Sequence, residues 1–194
     1  LAEFNIEYIK EADLETAAEM INKSERPFLY VGGGAVISNA SEEVSALAHK
    51  INAPVGDSLM GKGAFDGRDE LYCGMIGMHG TKASNFGVTD CDLLIVIGAR
   101  FSDRVVGKVS KFAENAKILQ IDVDAAEINK NVVVDASVIG DVKEVLKRLL
   151  PKVEENAHEE WVKHIEGYKN QFPLKYDPAG LTAPYVVKEL YRIT

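Results

Sequence analysis

The stretch Asp92-Leu93-Leu94-Ile95-Val96-Ile97-Gly98-Ala99-Arg100-Phe101-Ser102-Asp103-Arg104 decides the fold. Its first half, Leu93 to Ile97, is apolar without interruption and has the length of one strand. A strand that is apolar on both faces belongs inside a parallel sheet, with helices covering each side. Its second half breaks at Gly98 and sets two arginines and an aspartate directly beyond the strand end. Open parallel sheets bind ligands at the carboxyl ends of their strands. The stretch therefore predicts both a buried strand and the place where a ligand is expected.

The flanking sequence repeats the pattern. Asp13 is the expected N-cap of a helix with Leu14, Ala17, Ala18 and Ile21 on one face, ending near Lys23 to Glu25 ahead of Pro27. Phe28 to Val31 reads as a buried strand closed by Gly32, Gly33 and Gly34. Ser41 is expected to cap a helix with Val44, Leu47, Ala48 and Ile51 on one face, and a short strand opens at Pro54-Val55 and finishes near Ser58. The glycine-rich stretch Leu59 to Gly80 reads as a long functional loop, and Thr81 starts a short helix to Val88. Lys117 to Val123 reads as another strand, and Val132 to Ile139 as a shorter β-like segment. Asp141 and Glu144 have capping-box spacing ahead of a helix carrying Val142, Val145, Leu146 and Leu149, which Pro151 stops. Strands alternating with helices in this way predict an α/β fold, a three-layer, doubly wound, mostly parallel sheet with right-handed crossovers.

Composition narrows the function. With 46% apolar and 27% charged residues the chain can bury an ordinary core. A formal net charge of −8 argues against sequence-independent nucleic-acid binding, which needs a basic surface. No apolar run reaches membrane length and Leu1 to Glu15 lacks a signal-peptide core, so a cytoplasmic location without membrane association is expected. Cys73 and Cys91 have no metal-type spacing and are expected to stay unpaired. His49, His79, His158 and His164 are scattered; His158 and His164 read as solvated residues of a charged tail, and no metal site is expected.

The loops after the strands hold the candidate chemistry. Without Cβ atoms, Gly32, Gly33 and Gly34 can bring backbone N–H groups close to a diphosphate, or serve simply as a tight turn packing helix on strand. The spacing is not a full GxGxxG, so the standard NAD fingerprint is incomplete. Arg100 and Arg104 suit phosphate or carboxylate recognition with Asp103 orienting one of them; the alternative is a surface salt-bridge cluster. Asp122 ends its strand where a carboxylate can accept from ribose hydroxyls or merely close a turn. Gly140-Asp141 reads first as a turn and N-cap, and Gly77-Met78-His79-Gly80 as a ligand-facing loop, because its spacing suits neither helix nor strand packing. There is no GxSxG, no P-loop lysine and no obvious acid/base carboxylate pair, so no complete reaction mechanism is readable.

Gly74 to Gly80, together with Asp92 to Val105, strongly resembles the central domain of acetohydroxyacid synthase (acetolactate synthase) large subunits, and Pro54 to Phe65 and Asp122 to Lys130 fit the same pattern. The resemblance covers roughly residues 10 to 150. One departure is visible: the family usually has two adjacent aspartates before the second arginine, and here the first is Ser102. The resemblance implies a Rossmann-like (DHS-like NAD/FAD-binding) domain in a chain divided into an incoming linker at 1–12, a central FAD-binding domain at 13–151, and a linker entering a third domain at 152–194. It implies a parent enzyme, working as a dimer or tetramer with or without a small regulatory subunit, that uses thiamine diphosphate and Mg²⁺ held by other domains. That parent decarboxylates pyruvate and joins it to a second 2-keto acid, on the route to branched-chain amino acids. The implied FAD cradle is Gly32, Gly33, Gly34, Ser58, Leu59, Met60, Ile76, Gly77, Met78, His79, Gly98, Ala99, Arg100, Arg104, Val105, Asp122, Val123, Gly140 and Asp141. Met78, Asp103 and Arg104 are implied at the substrate channel. A related thiamine-family domain binding ADP or no ligand, and a self-contained nucleotide sensor, are the competing readings.

Overall fold

The computed structural model describes residues 9–107, 112–175 and 180–193. Residues 1–8 of the expected incoming linker lie outside the described residues. The strands are β1 (Pro27–Val31), β2 (Val55–Asp57), β3 (Tyr72–Met75), β4 (Leu93–Ile97), β5 (Lys117–Asp122) and β6 (Ala136–Ile139). They form one sheet in the order β3-β2-β1-β4-β5-β6, and every neighbouring pair is parallel. The chain runs outward from β1 to β3, then crosses back to lay β4 against the other side of β1. The topological switch point is therefore the β1–β4 seam.

Strand pleating sorts the core into two faces. Leu29, Val31, Val55, Leu93, Ile95, Ile97, Leu119, Ile121 and Val138 point to one side. There they meet α1 (Glu11–Lys23), α3 (Ser41–Lys50) and α6 (Val142–Leu149) through Leu14, Ala17, Val44, Leu47, Val145 and Leu146. Phe28, Tyr30, Leu94, Val96 and Ile118 point to the other side, under α4 (Lys82–Asp90) and α7 (Glu159–Gln171). Each fully buried Leu, Ile or Phe stabilises the fold by about 1.5–3 kcal/mol, so both faces must be covered.

The second cover comes partly from beyond Pro151. Trp161 and Ile165 of α7 are buried in the core, and the Trp161 indole Nε1 donates to the Pro27 carbonyl at 2.8 Å. His158, expected in solvent, instead bridges the carbonyls of Ile51 and Ser24 through its two ring nitrogens and is only partly exposed. It pins the start of α7 to the two turns that precede β1 and β2. His164 is half-exposed, with its Nε2 3.3 Å from Asp90. The last helix, α8 (Ala183–Ile193), buries no residue.

Some local readings shift. The first helix starts at Glu11 with Lys10 at the N-cap, so Asp13 sits in the first turn, where its charge complements the helix dipole. Ser41 is the first helical residue of α3 rather than its cap, a position taken by Ala40 without a side-chain hydrogen bond. Inside the stretch read as loop, Tyr72–Met75 is an edge strand paired with β2. Thr81 does cap α4, its hydroxyl accepting from the Ser84 N–H at 3.1 Å, and Asp141 caps α6 by accepting from the Glu144 N–H at 3.2 Å. Cys73 and Cys91 are free and buried. Burial pushes their thiols up to about 11 and about 12. No described helix is long and apolar enough to cross a membrane.

Candidate functional site

The candidate residues gather along the carboxyl ends of the strands because the parallel sheet places all those ends on one edge. At the switch point the β1 and β4 loops touch. The Gly32 N–H donates to the Ile97 carbonyl at 2.9 Å and the Gly34 N–H to the Gly98 carbonyl at 2.8 Å. A Cβ on Gly32 would stand 2.3 Å from the Gly98 oxygen, and one on Gly34 would stand 2.7 Å from the Gly98 Cα. Gly32 and Gly34 therefore spend their backbone donors within the protein, and they are glycines because the opposing loop leaves no room. Gly33 differs. It opens the short α2 (Gly33–Ile37), and a Cβ there would meet the Met60 side chain at 3.1 Å.

The β2 loop closes over this seam. The Ser58 N–H donates to the Val31 carbonyl at 2.9 Å, and its hydroxyl accepts from the Gly61 N–H at 3.1 Å, forming a single turn of 3₁₀ helix at Leu59–Gly61. Leu59 and Met60 project outward, adjacent to each other and 71% and 72% exposed. A group that the sequence reading missed anchors the turn from below. Asp57 is buried, accepts from Tyr72 Oη at 2.8 Å and pairs with Lys62 Nζ at 2.9 Å. Burial opposes the Lys62 charge, but the hydrogen bonds to Tyr72 and Asp57 outweigh it and raise its pKa. Burial, aided by the Asp57 charge, likewise raises the Tyr30 hydroxyl. Asp57 and Tyr72 were not legible as a pair because β3 was hidden in a stretch read as loop.

On the other flank, the Gly77-Met78-His79-Gly80 turn packs against α5 (Asp103–Val106). A Cβ on Gly77, whose φ is +101°, would lie 2.6 Å from the Arg104 carbonyl oxygen, and the Met78 N–H donates to that oxygen at 2.9 Å. Met78 and His79 point outward. Arg100, Asp103 and Arg104 are exposed, and among the described residues none of their side chains forms an ion pair or hydrogen bond. Two guanidiniums held at strand ends without internal partners can receive an anion.

Beyond the seam, the Gly98 N–H donates to the Ile121 carbonyl at 2.8 Å, and the Gly140 N–H to the Asp122 carbonyl at 3.0 Å. Asp122 is 7% exposed and its carboxyl accepts from the Asp124 N–H at 3.0 Å. Burial raises its pKa above the usual carboxylate range. A buried carboxylate with an acceptor oxygen to spare is suited to a hydroxyl donor. Val123 beside it is exposed. Ile76 and Ala99 are buried in the core, so they can reach a ligand only through their backbone. Gly140 faces Ile9, whose Cγ1 would be 2.5 Å from an added Cβ, and Asp141 is occupied as the α6 cap. The crest thus combines exposed apolar side chains, free arginines and one sheltered carboxylate. Grooves lined by Arg26, Asp90, Trp161 and His164, and by Ser24, Asp92 and Lys117, lie at the opposite, amino ends of the strands and include none of these residues.

The family model described as "Thiamine pyrophosphate enzyme, central domain" matches residues 14–149. The chain is 44% identical over 189 residues to the acetolactate synthase large subunit of Cyanidium caldarium, covering 93% of this chain and 32% of that protein. It is 46% identical over 185 residues to a probable acetolactate synthase large subunit of Methanocaldococcus jannaschii, covering 93% and 31%. It is 44% identical over 183 residues to the acetolactate synthase large subunit of Corynebacterium glutamicum, covering 91% and 29%. The chain thus spans about a third of the length of the curated relatives it matches, 32% in the first of these cases.

Proposed function

Since this chain belongs to the family of thiamine pyrophosphate enzyme central domains, we propose that it is the FAD-binding central domain of an acetolactate synthase large subunit. The carrying observation is the crest itself. Apolar side chains that a folded domain would otherwise bury, Leu59, Met60, Met78 and Val123, stand exposed at 71%, 72%, 75% and 47% beside unpaired Arg100 and Arg104. An extended dinucleotide with flat rings, a diphosphate and ribose hydroxyls matches that combination.

The residues present fit such a group. Gly33, at the switch point, lets the Met60 turn pack directly on its backbone, and this holds the exposed Leu59 and Met60 side chains beside the β1 loop. Arg100 supplies positive charge to phosphate, Asp122 accepts from a ribose hydroxyl, and Met60 and Met78 pack against ring faces. When bound, the flavin acts as a structural group rather than a redox agent in the main reaction. Arg104, with Asp103 beside it, is free to hold a keto-acid carboxylate and oppose charge developing on its oxygen.

The parent enzyme is proposed to carry thiamine diphosphate and Mg²⁺ on its other domains, to act as a dimer or tetramer, and to make acetolactate or acetohydroxybutyrate from pyruvate and a second 2-keto acid. The chain by itself is proposed to bind without turnover. Titration followed by quenching of flavin fluorescence, with ADP as competitor, tests the ligand assignment. FAD binding more tightly than ADP is expected, because the second ring system adds apolar contacts along the crest. Equal or tighter binding of ADP refutes the flavin assignment.

A further inference from the structure

Asn85 lies outside every feature used so far. It stands on α4, one turn past the Thr81 cap, and its carboxamide closes around the backbone of one residue, Gly77, while also bonding the Thr81 carbonyl. Oδ1 accepts from the Gly77 N–H at 2.9 Å, while Nδ2 donates to the Gly77 and Thr81 carbonyls, each at 3.0 Å. Gly77 is thus held from both its donor and its acceptor at φ +101°, and its carbonyl also accepts from the Gly80 N–H at 2.9 Å. The next N–H along, that of Met78, reaches the Arg104 carbonyl at 2.9 Å. Helix α5, which carries Arg104, is four residues long, and its N-cap Ser102 makes no side-chain cap hydrogen bond. So short a helix cannot hold itself. Its place depends on what packs against it, and that includes the clamped Gly77-Met78 turn.

We infer that Asn85 is a positioning residue: by clamping Gly77 from both its N–H and its carbonyl it sets the spacing between Met78 and Arg104 across the crest. The significance of that spacing for a ligand rests on the flavin reading above. The clamp itself is a property of the ligand-free chain. No other side chain of this size does the same work. Leucine keeps the volume and loses all three hydrogen bonds. Aspartate, when ionised, turns an oxygen toward two carbonyls, and only its protonated form can both accept from Gly77 N–H and donate to a carbonyl.

The test uses amide hydrogen exchange on the ligand-free chain, corrected for intrinsic rates. In Asn85→Leu the Gly77 and Met78 amides are expected to exchange about tenfold faster or more, while sheet amides such as Ile95 keep their protection. In Asn85→Asp the same two amides are expected to be fast near neutral pH and to recover protection as the new carboxyl protonates, about one to two pH units below neutral. That pH-dependent rescue separates a hydrogen-bonding clamp from mere packing, and it remains readable where the leucine variant fails to fold. FAD affinity should follow, falling about tenfold in Asn85→Leu. Unchanged exchange at Met78 in both variants, or an aspartate variant insensitive to pH, overturns the clamp. Absence of FAD binding by the unmodified chain refutes the flavin reading and leaves the exchange result to decide the clamp.

Discussion

Replacing Gly98 by alanine is the sharpest perturbation of this fold, because the cost can be assembled from the structure. Gly98 adopts φ +58°, where an L-residue with a Cβ loses about 1 kcal/mol relative to its favoured conformations. The new methyl would then stand 2.7 Å from Gly34 Cα and 2.8 Å from Ala35 N. Both are backbone atoms of α2, so neither can swing aside as a side-chain tip would. Relief requires the β1 and β4 loops to part, straining the Gly34 N–H bond to the Gly98 carbonyl. Overpacking of this kind costs about 2 kcal/mol, for a total of about 3 kcal/mol. Gly63 supplies the control: its φ is +91° but nothing lies within 4 Å of an added Cβ. Gly63→Ala should therefore show only the conformational part, about 1 kcal/mol. Urea unfolding measures both, with a lower midpoint and an unchanged slope expected for Gly98→Ala. Equal losses in the two variants would refute the claim that loop contact, rather than backbone conformation, demands glycine at the switch point.

Asp122→Asn should stabilise the chain at neutral pH while weakening FAD binding, since burial raises the Asp122 pKa and charging it costs stability. An acid whose folded pKa lies above its unfolded value loses stability as pH rises between the two. The gain from asparagine should therefore fade as pH falls below the ordinary carboxylate range, which denaturation at several pH values will report. Asp57→Ala removes the acceptor of the Tyr72 hydroxyl and the ion-pair partner of Lys62, leaving only the Lys62–Tyr72 hydrogen bond, and should cost about 2 kcal/mol, less than a fully buried pair because Lys62 can turn to water. Lys62 has a raised folded pKa, so the stability it gains from Asp57 and Tyr72 is complete below its ordinary 10.5 and is lost as pH rises past that value. Circular dichroism melts across that window should show the loss in the parent chain and not in Lys62→Met. Trp161→Phe should cost about 1 kcal/mol through the lost bond to Pro27, and Trp161→Ala about 3–4 kcal/mol through the cavity, both read by thermal unfolding.

The buried strands, the strand-end position of the candidate loops and the amphipathic faces of α1, α3 and α6 were legible in the amino-acid order. Each depends on periodicity or an uninterrupted apolar run, which are local properties. Val31, Leu94 and Leu47 could be assigned to a core from their neighbours alone. The third strand was not legible, because Tyr72-Cys73-Gly74-Met75 at a sheet edge needs neither alternation nor a long apolar run; pairing with β2 makes it a strand. Helix α7 is not legible in the amino-acid order because Trp161 and Ile165 form only a narrow apolar stripe in a charged segment, and their burial depends on the space left beneath α4. The triple glycine shows the division most clearly. Its sequence indicated close approach of something, either ligand or chain. Tertiary structure assigned Gly32 and Gly34 to the chain, since the β4 loop occupies the space and takes up their N–H groups, and set Gly33 against Met60 of the β2 loop. Local sequence carries hydrophobic period and turn chemistry; which backbone lies across from a given glycine is set by strand order, and strand order exists only once distant segments have packed.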